Sequence, residues 1–229
     1  MVLIISIVIS YILLIPIKGE KKIIIQFANV FSNCGFIGFP IVFSIYGNEG
    51  VIYASIFNLF FTAFLWTYGV ILFNGKMKRE DIKKVLLNPA IVAVFIGLII
   101  MIFGFDIPSV LSSTLDLVGN MTSPLSMIIV GVILGNAKII SYLKDKTIYY
   151  SAFLKLIIMP CILILISKLL KDTSLVIKTL IIVTAMPAAA MTSILAESFD
   201  KESEYSAVIV FITTLFSVIT FPILLNFIL

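Results

Sequence analysis

Two prolines fall at matching places in the two halves of this chain, each inside a stretch apolar enough to cross a bilayer. The first run reads Asn33-Cys34-Gly35-Phe36-Ile37-Gly38-Phe39-Pro40, with Gly47 seven residues further on. The second reads Met186-Pro187-Ala188-Ala189-Ala190-Met191-Thr192-Ser193. Proline has no backbone N–H and its ring clashes with the preceding turn, so a spanning helix kinks or breaks there. In hydrocarbon, backbone groups freed in this way are tolerated only where protein or a polar cavity satisfies them. Paired interrupted helices in the two halves of a chain point to the substrate site of a carrier built from inverted repeats. The expected fold is an all-α polytopic membrane protein, unwound near residues 35–40 and 186–192, with the two breaks crossing in space.

Composition agrees with that class. Of 229 residues 61% are hydrophobic and 12% charged, and the mean hydropathy is +1.22; a soluble domain runs at ~45–50% apolar and ~25% charged. The net charge of +4 belongs to loops bordering the spans and does not indicate a nucleic-acid partner. The chain has no histidine, which removes the commonest metal ligand and the commonest general base together. There is also no Gly-x-Ser-x-Gly and no pair of aspartates deep in two spans, so an intramembrane enzyme, a metal and a cofactor are not expected. Cys34 and Cys161 both lie in apolar runs and read as free buried thiols.

A hydrocarbon core of ~30 Å needs about 20 apolar residues of helix. Eight segments meet that need, roughly 1–17, 23–47, 51–74, 84–105, 109–136, 147–170, 174–198 and 204–229. No basic leading region or cleavage site precedes the first, so it reads as a retained helix. Lys18, Lys21 and Lys22 follow the first segment, five basic residues from Lys76 to Lys84 the third, and Lys138, Lys144 and Lys146 the fifth. The intervening turns, Gly47-Asn48-Glu49-Gly50 and Gly104-Phe105-Asp106, carry no positive charge. Basic short loops favour the cytoplasm, which puts both termini of a multi-pass cell-membrane protein outside. Lys168 and Lys171 then fall outside, against the trend. Residues 1–74 and 147–229 form two three-helix units, inverted because a hairpin at 84–136 separates odd-numbered repeats. The hairpin has no counterpart in the first half, so either the fold is asymmetric or two helices that once preceded Met1 are absent, and inversion by an odd-numbered repeat favours the second. Without them, Gly131 and Gly135, four apart, offer a close-packing surface for self-association.

Candidate functional residues cluster at the breaks. Asn33 offers a donor and an acceptor at membrane depth, Gly35 and Gly38 allow close backbone approach, and the half-helix opening around Pro40 points its N–H groups at the bilayer middle. Such an end carries partial positive charge and suits anions. At the second break, Pro187 is followed by Thr192 and Ser193, whose hydroxyls either contact a ligand or cap freed carbonyls. Lys155, eight residues into the sixth segment, either attracts an anionic substrate or snorkels to the headgroups; its position about two turns from the interface favours snorkelling. Asp116 and Glu197 read as solvated helix ends. Asn120 and Pro124 suggest a local opening in the fifth segment, for which a structural kink is the simpler account.

These residues, in this order and spacing, resemble the microbial branch of the auxin efflux carrier family. The likeness covers the whole chain and is carried by Asn33 to Pro40 with Tyr46-Gly47, Asn88-Pro89, Leu117-Val118-Gly119-Asn120 to Pro124-Leu125, and Met186-Pro187-Ala188. The resemblance implies ten helices in two inverted five-helix repeats, with crossing broken helices and carboxylate-bearing organic anions as substrates. The eight spans here then correspond to the third to tenth helices, a complete transport half with one scaffold hairpin. Two departures stand out: Cys34 where the family usually has threonine, and Met191 and Thr192 where an asparagine often follows the second proline. The implied function is a secondary active or facilitative carrier of small organic anions working by alternating access, with proton or sodium coupling open. The alternatives are a sodium-coupled symporter of the bile-acid-transporter type or an inactive truncated remnant.

Overall fold

Helices satisfy all their backbone groups internally, and the computed structural model, which describes residues 2–75, 89–121, 124–125, 128, 131–132, 135 and 142–228, contains helices and a single two-residue bridge among the described residues. The first unit comprises α1 (Val2–Leu13), α2 (Glu20–Val30), a π-helical turn at Cys34–Gly38, α3 (Phe39–Phe64), a second π turn at Leu65–Gly69 and α4 (Val70–Asn74). The hairpin supplies α5 (Pro89–Phe103) and α6 (Ser109–Asn120). The last unit comprises α7 (Lys146–Phe153), a third π turn at Leu154–Ile158, α8 (Met159–Leu170), α9 (Leu175–Ala185), α10 (Met191–Ser198) and α11 (Ser203–Ile228). The basic residues of 76–84, Asn88, Thr122, Ser123 and Lys138 lie outside the described residues.

Local chemistry sets many of the ends. Asp145 caps α7 by accepting from the Thr147 N–H at 2.9 Å, and Ser174 caps α9 by accepting from Ile177 N–H at 3.4 Å. Each satisfies one of the donors a helix start leaves unpaired. Lys171 closes α8 in the left-handed conformation with φ 52°, a common helix stop.

The long run through α3 is not one straight helix. Gly47 has φ 62° and ψ −153°, a conformation open to glycine but not to other residues. Two contacts show that the chain reverses there. A Cβ on Gly50 would lie 2.8 Å from Val42 Cγ1, eight residues earlier, although eight residues of straight helix span ~12 Å. Farther along, the Cys34 thiol is 3.4 Å from Asn58 Oδ1. The turn expected at residues 47–50 is therefore a reversal between two antiparallel legs.

The second leg, α4 and the end of α2 meet in a cluster of aromatic rings. Phe27 lies 4.5 Å from Phe31 and 5.3 Å from Phe73, and Phe31 lies 5.3 Å from Phe61, centroid to centroid. All four are buried. Units one and three pack extensively, α9 against α3 and α11 against α2. The described contact of the hairpin is chiefly between α5 and α3, and α6 buries none of its residues.

Gly69 exists for that cluster. A Cβ there would come within 2.6 Å of Phe27 Cε2, and Phe27 cannot retreat because Phe31 and Phe73 stand behind it. Gly69→Ala should cost about 1–3 kcal/mol through overpacking and lower the unfolding midpoint in detergent. Gly97→Ala, where a Cβ meets nothing within 4 Å, should leave the midpoint unchanged or raise it. Equal midpoints for the two variants would overturn this account of the cluster.

Candidate functional site

Two helices stop at the same level of the fold and their broken backbones pair. α2 ends at Val30, followed by Phe31 in extended conformation, and α9 ends at Ala185, followed by Met186 in extended conformation. Asn33 N–H donates to Pro187 O at 2.8 Å and Ala189 N–H donates to Phe31 O at 3.0 Å. These bonds frame an antiparallel bridge between Ser32 and Ala188. The Ala188 N–H reaches Thr213 Oγ1 at 3.3 Å. The expected crossing of two breaks, in opposite chain directions, is present.

The first break lies upstream of where the proline placed it. Backbone is unwound at residues 31–33, whereas 34–38 forms the π turn and Pro40 sits in the first turn of α3. The reason lies in the hydrogen-bond pattern. A wider π turn lets Phe39 N–H donate to Cys34 O, five residues back, which accommodates a ring that clashes with the carbonyl four residues back. Pro160 does the same after Leu154–Ile158, where Met159 N–H donates to Leu154 O. The second break, at 186–190, matches its expected place, with Met191 and Thr192 already in α10.

Lys155 stands at the centre of the crossing. Its side chain is 0% exposed, and Nζ donates to Ser32 Oγ at 2.6 Å and to Asn29 O at 3.1 Å. Ser32 in turn donates its hydroxyl to Thr184 O at 3.2 Å. The snorkelling expectation is thus corrected: the ammonium points inward because carbonyls freed at the ends of α2 and α9 need donors. A cation is also favoured at a helix C-terminus.

A cavity of about 250 Å³ is lined by residues of three segments, among them Asn33, Cys34, Gly35, Asn58, Trp66 and Ala190. Its walls include the first residues of the half-helices that begin at Cys34 and Met191; of the leading N–H groups there, those of Cys34, Thr192 and Ser193 donate to Ser32 O, Ala189 O and Ala190 O. Asn33 Nδ2 is buried without a partner, a rare condition for a polar atom. Gly35 has open space where a Cβ would be, while Gly38 abuts Met186 Cγ at 3.4 Å.

The remaining expected residues divide. Pro187 contributes its carbonyl to the crossing. Thr192 and Ser193 are fully buried in the first turn of α10 with unpartnered hydroxyls, behind the cavity wall. Asn120 lies exposed at the end of α6, and the described contacts do not bring it to the crossing. Asp116 and Glu197 are exposed. Cys161 is exposed rather than buried, since it lies on the outward face of α8, where an apolar thiol meets lipid. Sequence reasoning missed Ser32, Asn29, Asn58, Trp66 and Thr184. The overlooked signal was a polar pair, Ser32-Asn33, directly before the glycines. A separate apolar groove of about 340 Å³ between α7 and α11, lined by Phe153, Leu156, Phe216 and Ile219, carries no polar constellation.

Crossing broken helices beside a small cavity, mainly apolar with a few polar groups, are the arrangement of a membrane transport protein. Residues 1–225 match the family described as "Membrane transport protein", and the chain belongs to this auxin efflux carrier family. It is 28% identical over 209 residues to an uncharacterized transporter of Methanocaldococcus jannaschii, covering 89% of this chain and 67% of the relative. It is 25% identical over 193 residues to an uncharacterized transporter of Methanothermobacter thermautotrophicus, covering 83% and 63%. The uncharacterized transporter YfdV of Escherichia coli is 25% identical over 199 residues, covering 82% and 62%. The matched region therefore spans about two thirds of the length of these relatives.

Away from the crossing, the two units are tied by ion pairs near the start of α2. Lys21 Nζ lies 2.6 Å from Asp145 Oδ2, and Lys201 Nζ lies 3.0 Å from Glu20 Oε1. Partial burial pushes the Asp145 carboxyl up, but hydrogen bonds from Lys21 and Thr147 outweigh it and hold the group below the ordinary aspartate value. The hydrogen bond to Asp145 raises Lys21. A depressed carboxylate contributes stability above its unfolded value and loses it as pH falls through the folded one. The raised lysine loses its contribution only as pH climbs through its folded value. The tie should thus be constant around neutrality and fail below the ordinary aspartate range and again in strong alkali. Asp145→Asn should flatten the acid limb of the unfolding midpoint against pH; an unchanged acid limb would show that the pair does not hold the units together.

Proposed function

We propose that this chain forms the crossover core of a secondary active or facilitative carrier for small organic anions such as carboxylates, moving them by alternating access. The observation that supports this most directly is the separation of charge at the crossing. The Asn29 carbonyl in the last turn of α2 meets Lys155 and the Thr184 carbonyl in the last turn of α9 meets Ser32, whereas the first residues of the following half-helices and Asn33, with its unpartnered amide, line the cavity. Helix N-termini near the bilayer centre favour an anionic group. The cavity is at the small end of ligand sites, which run ~300–1,000 Å³, and so suits a compact solute.

In this reading the carboxylate accepts from Asn33 Nδ2 and from leading N–H groups of the two half-helices other than those of Cys34, Thr192 and Ser193, which already donate to Ser32 O, Ala189 O and Ala190 O. The two crossing units, residues 1–74 and 147–229, move as one bundle against the hairpin at 84–136. The basic loops after the first, third and fifth spans lie on the cytoplasmic side of the cell membrane, with both termini outside, following the positive-inside rule.

Trp66 is the only tryptophan in the sequence and lines the cavity, so its fluorescence reports occupancy without a transport assay. A small mono- or dicarboxylate should quench or shift that emission, and the matching neutral amide should not. Asn33→Ala should weaken carboxylate binding about 10- to 150-fold, the equivalent of losing a hydrogen bond to a charged group, and should lower uptake into proteoliposomes. Unchanged affinity would return Asn33 to a packing role, and equal binding of the neutral amide would remove the anion from the proposal.

A further inference from the structure

Two oxygens, one from the end of α2 and one from the break after it, hold the Lys155 ammonium where an ion could sit, and a carbonyl at the end of α9 joins them through the Ser32 hydroxyl. Asn29 O comes from the last turn of α2, Ser32 Oγ from the break, and Thr184 O, tied in through Ser32, from the last turn of α9. Two further oxygens close by in the chain, Asn29 Oδ1 and Ser151 Oγ one helical turn before Lys155, are buried without partners. Among the described residues, neither ion pair involves Lys155. Hard neutral oxygens without nitrogen or sulfur are the ligands that alkali and alkaline-earth cations prefer. In carriers with broken helices, unwound carbonyls and half-helix C-terminal ends hold the coupling ion.

We infer that Lys155 is a tethered cation seated in a monovalent-cation site at the crossing, and that removing its ammonium converts the crossing into a sodium site. The tether fixes the consequence for transport. A bound metal ion must load and leave in each cycle, whereas an ammonium on α7–α8 is present in every state. The crossing then needs no external cation to neutralise its carbonyl ends, and substrate binding is independent of sodium. The inference deepens the carrier proposal and rests on it for this transport consequence. The ion site itself is tested without substrate, so a wrong substrate class leaves that test unaffected.

The experiment compares thermal unfolding of the purified full chain in sodium chloride and in choline chloride at equal ionic strength. Three proteins are measured: the unaltered chain, Lys155→Ala, which opens space at the oxygens, and Lys155→Met, which removes the charge but fills the space. The unaltered chain should unfold at the same temperature in both salts. Lys155→Ala should unfold roughly 3–6 °C higher in sodium, saturating with concentration as a bound ligand does, and Lys155→Met should show no such gain. A Lys155→Ala protein that folds in sodium alone supports the inference in its strongest form. Sodium-specific stabilisation of the unaltered chain would overturn it, because the site would then not be filled by Lys155. Equal midpoints for Lys155→Ala, a matching gain in Lys155→Met, or a Lys155→Ala chain that folds in neither salt would each overturn it as well, since sodium would not be replacing the ammonium.

Discussion

No unwound segment can stand alone in hydrocarbon, because each unpaired backbone group there costs several kcal/mol. The pairing of residues 31–33 with 187–189 is the arrangement on which the rest of this protein depends. Each break supplies the other with a donor and an acceptor: Asn33 N–H meets Pro187 O, and Ala189 N–H meets Phe31 O. Neither break is tenable without its counterpart. The first and last units are therefore obliged to pack face to face, and their tight association around α2, α3, α9 and α11 follows from that obligation.

Breaking two helices also creates four ends of partial charge where continuous helices have none. The structure sorts them by sign. Carbonyl ends meet Lys155 and Ser32, with the ammonium buried completely. N–H ends meet the cavity that Asn33 and Gly35 help to line. Two of the three π turns, at Cys34–Gly38 and Leu65–Gly69, put residues into that cavity wall, and the third carries Lys155. A π turn widens the helix and re-aims its side chains, and these three turns bring Cys34 and Trp66 to the cavity wall and Lys155 to the crossing.

Much of this was readable before any fold was known, and the reasons are local. Hydropathy marked the spans, and two prolines in matching places marked the interrupted helices. Gly47 marked the reversal because only glycine tolerates φ 62° without strain. The misplacement of the first break is equally instructive. Proline reports a missing N–H, and a π turn absorbs that loss without unwinding, so Pro40 lies beyond the break that it signals. Lys155 misled for a different reason: its distance from the interface allows snorkelling, and nothing near it in sequence offers an inward partner.

The sequence by itself determined the class of protein, the rough course of its spans and the existence of a break in each of the two outer units. All of these follow from hydropathy, loop charge and the covalent peculiarity of proline, which belong to single residues or short runs. Tertiary structure decided which atoms satisfy which. Lys155 finds Ser32 across 123 positions of chain and Asn29 across 126, and Asn33 is left with a free donor because Pro187, brought from the other half, takes its backbone N–H and not its side chain. Partners so distant exist only once the two breaks have crossed, and it is their crossing that separates a buried cation from the cavity beside it.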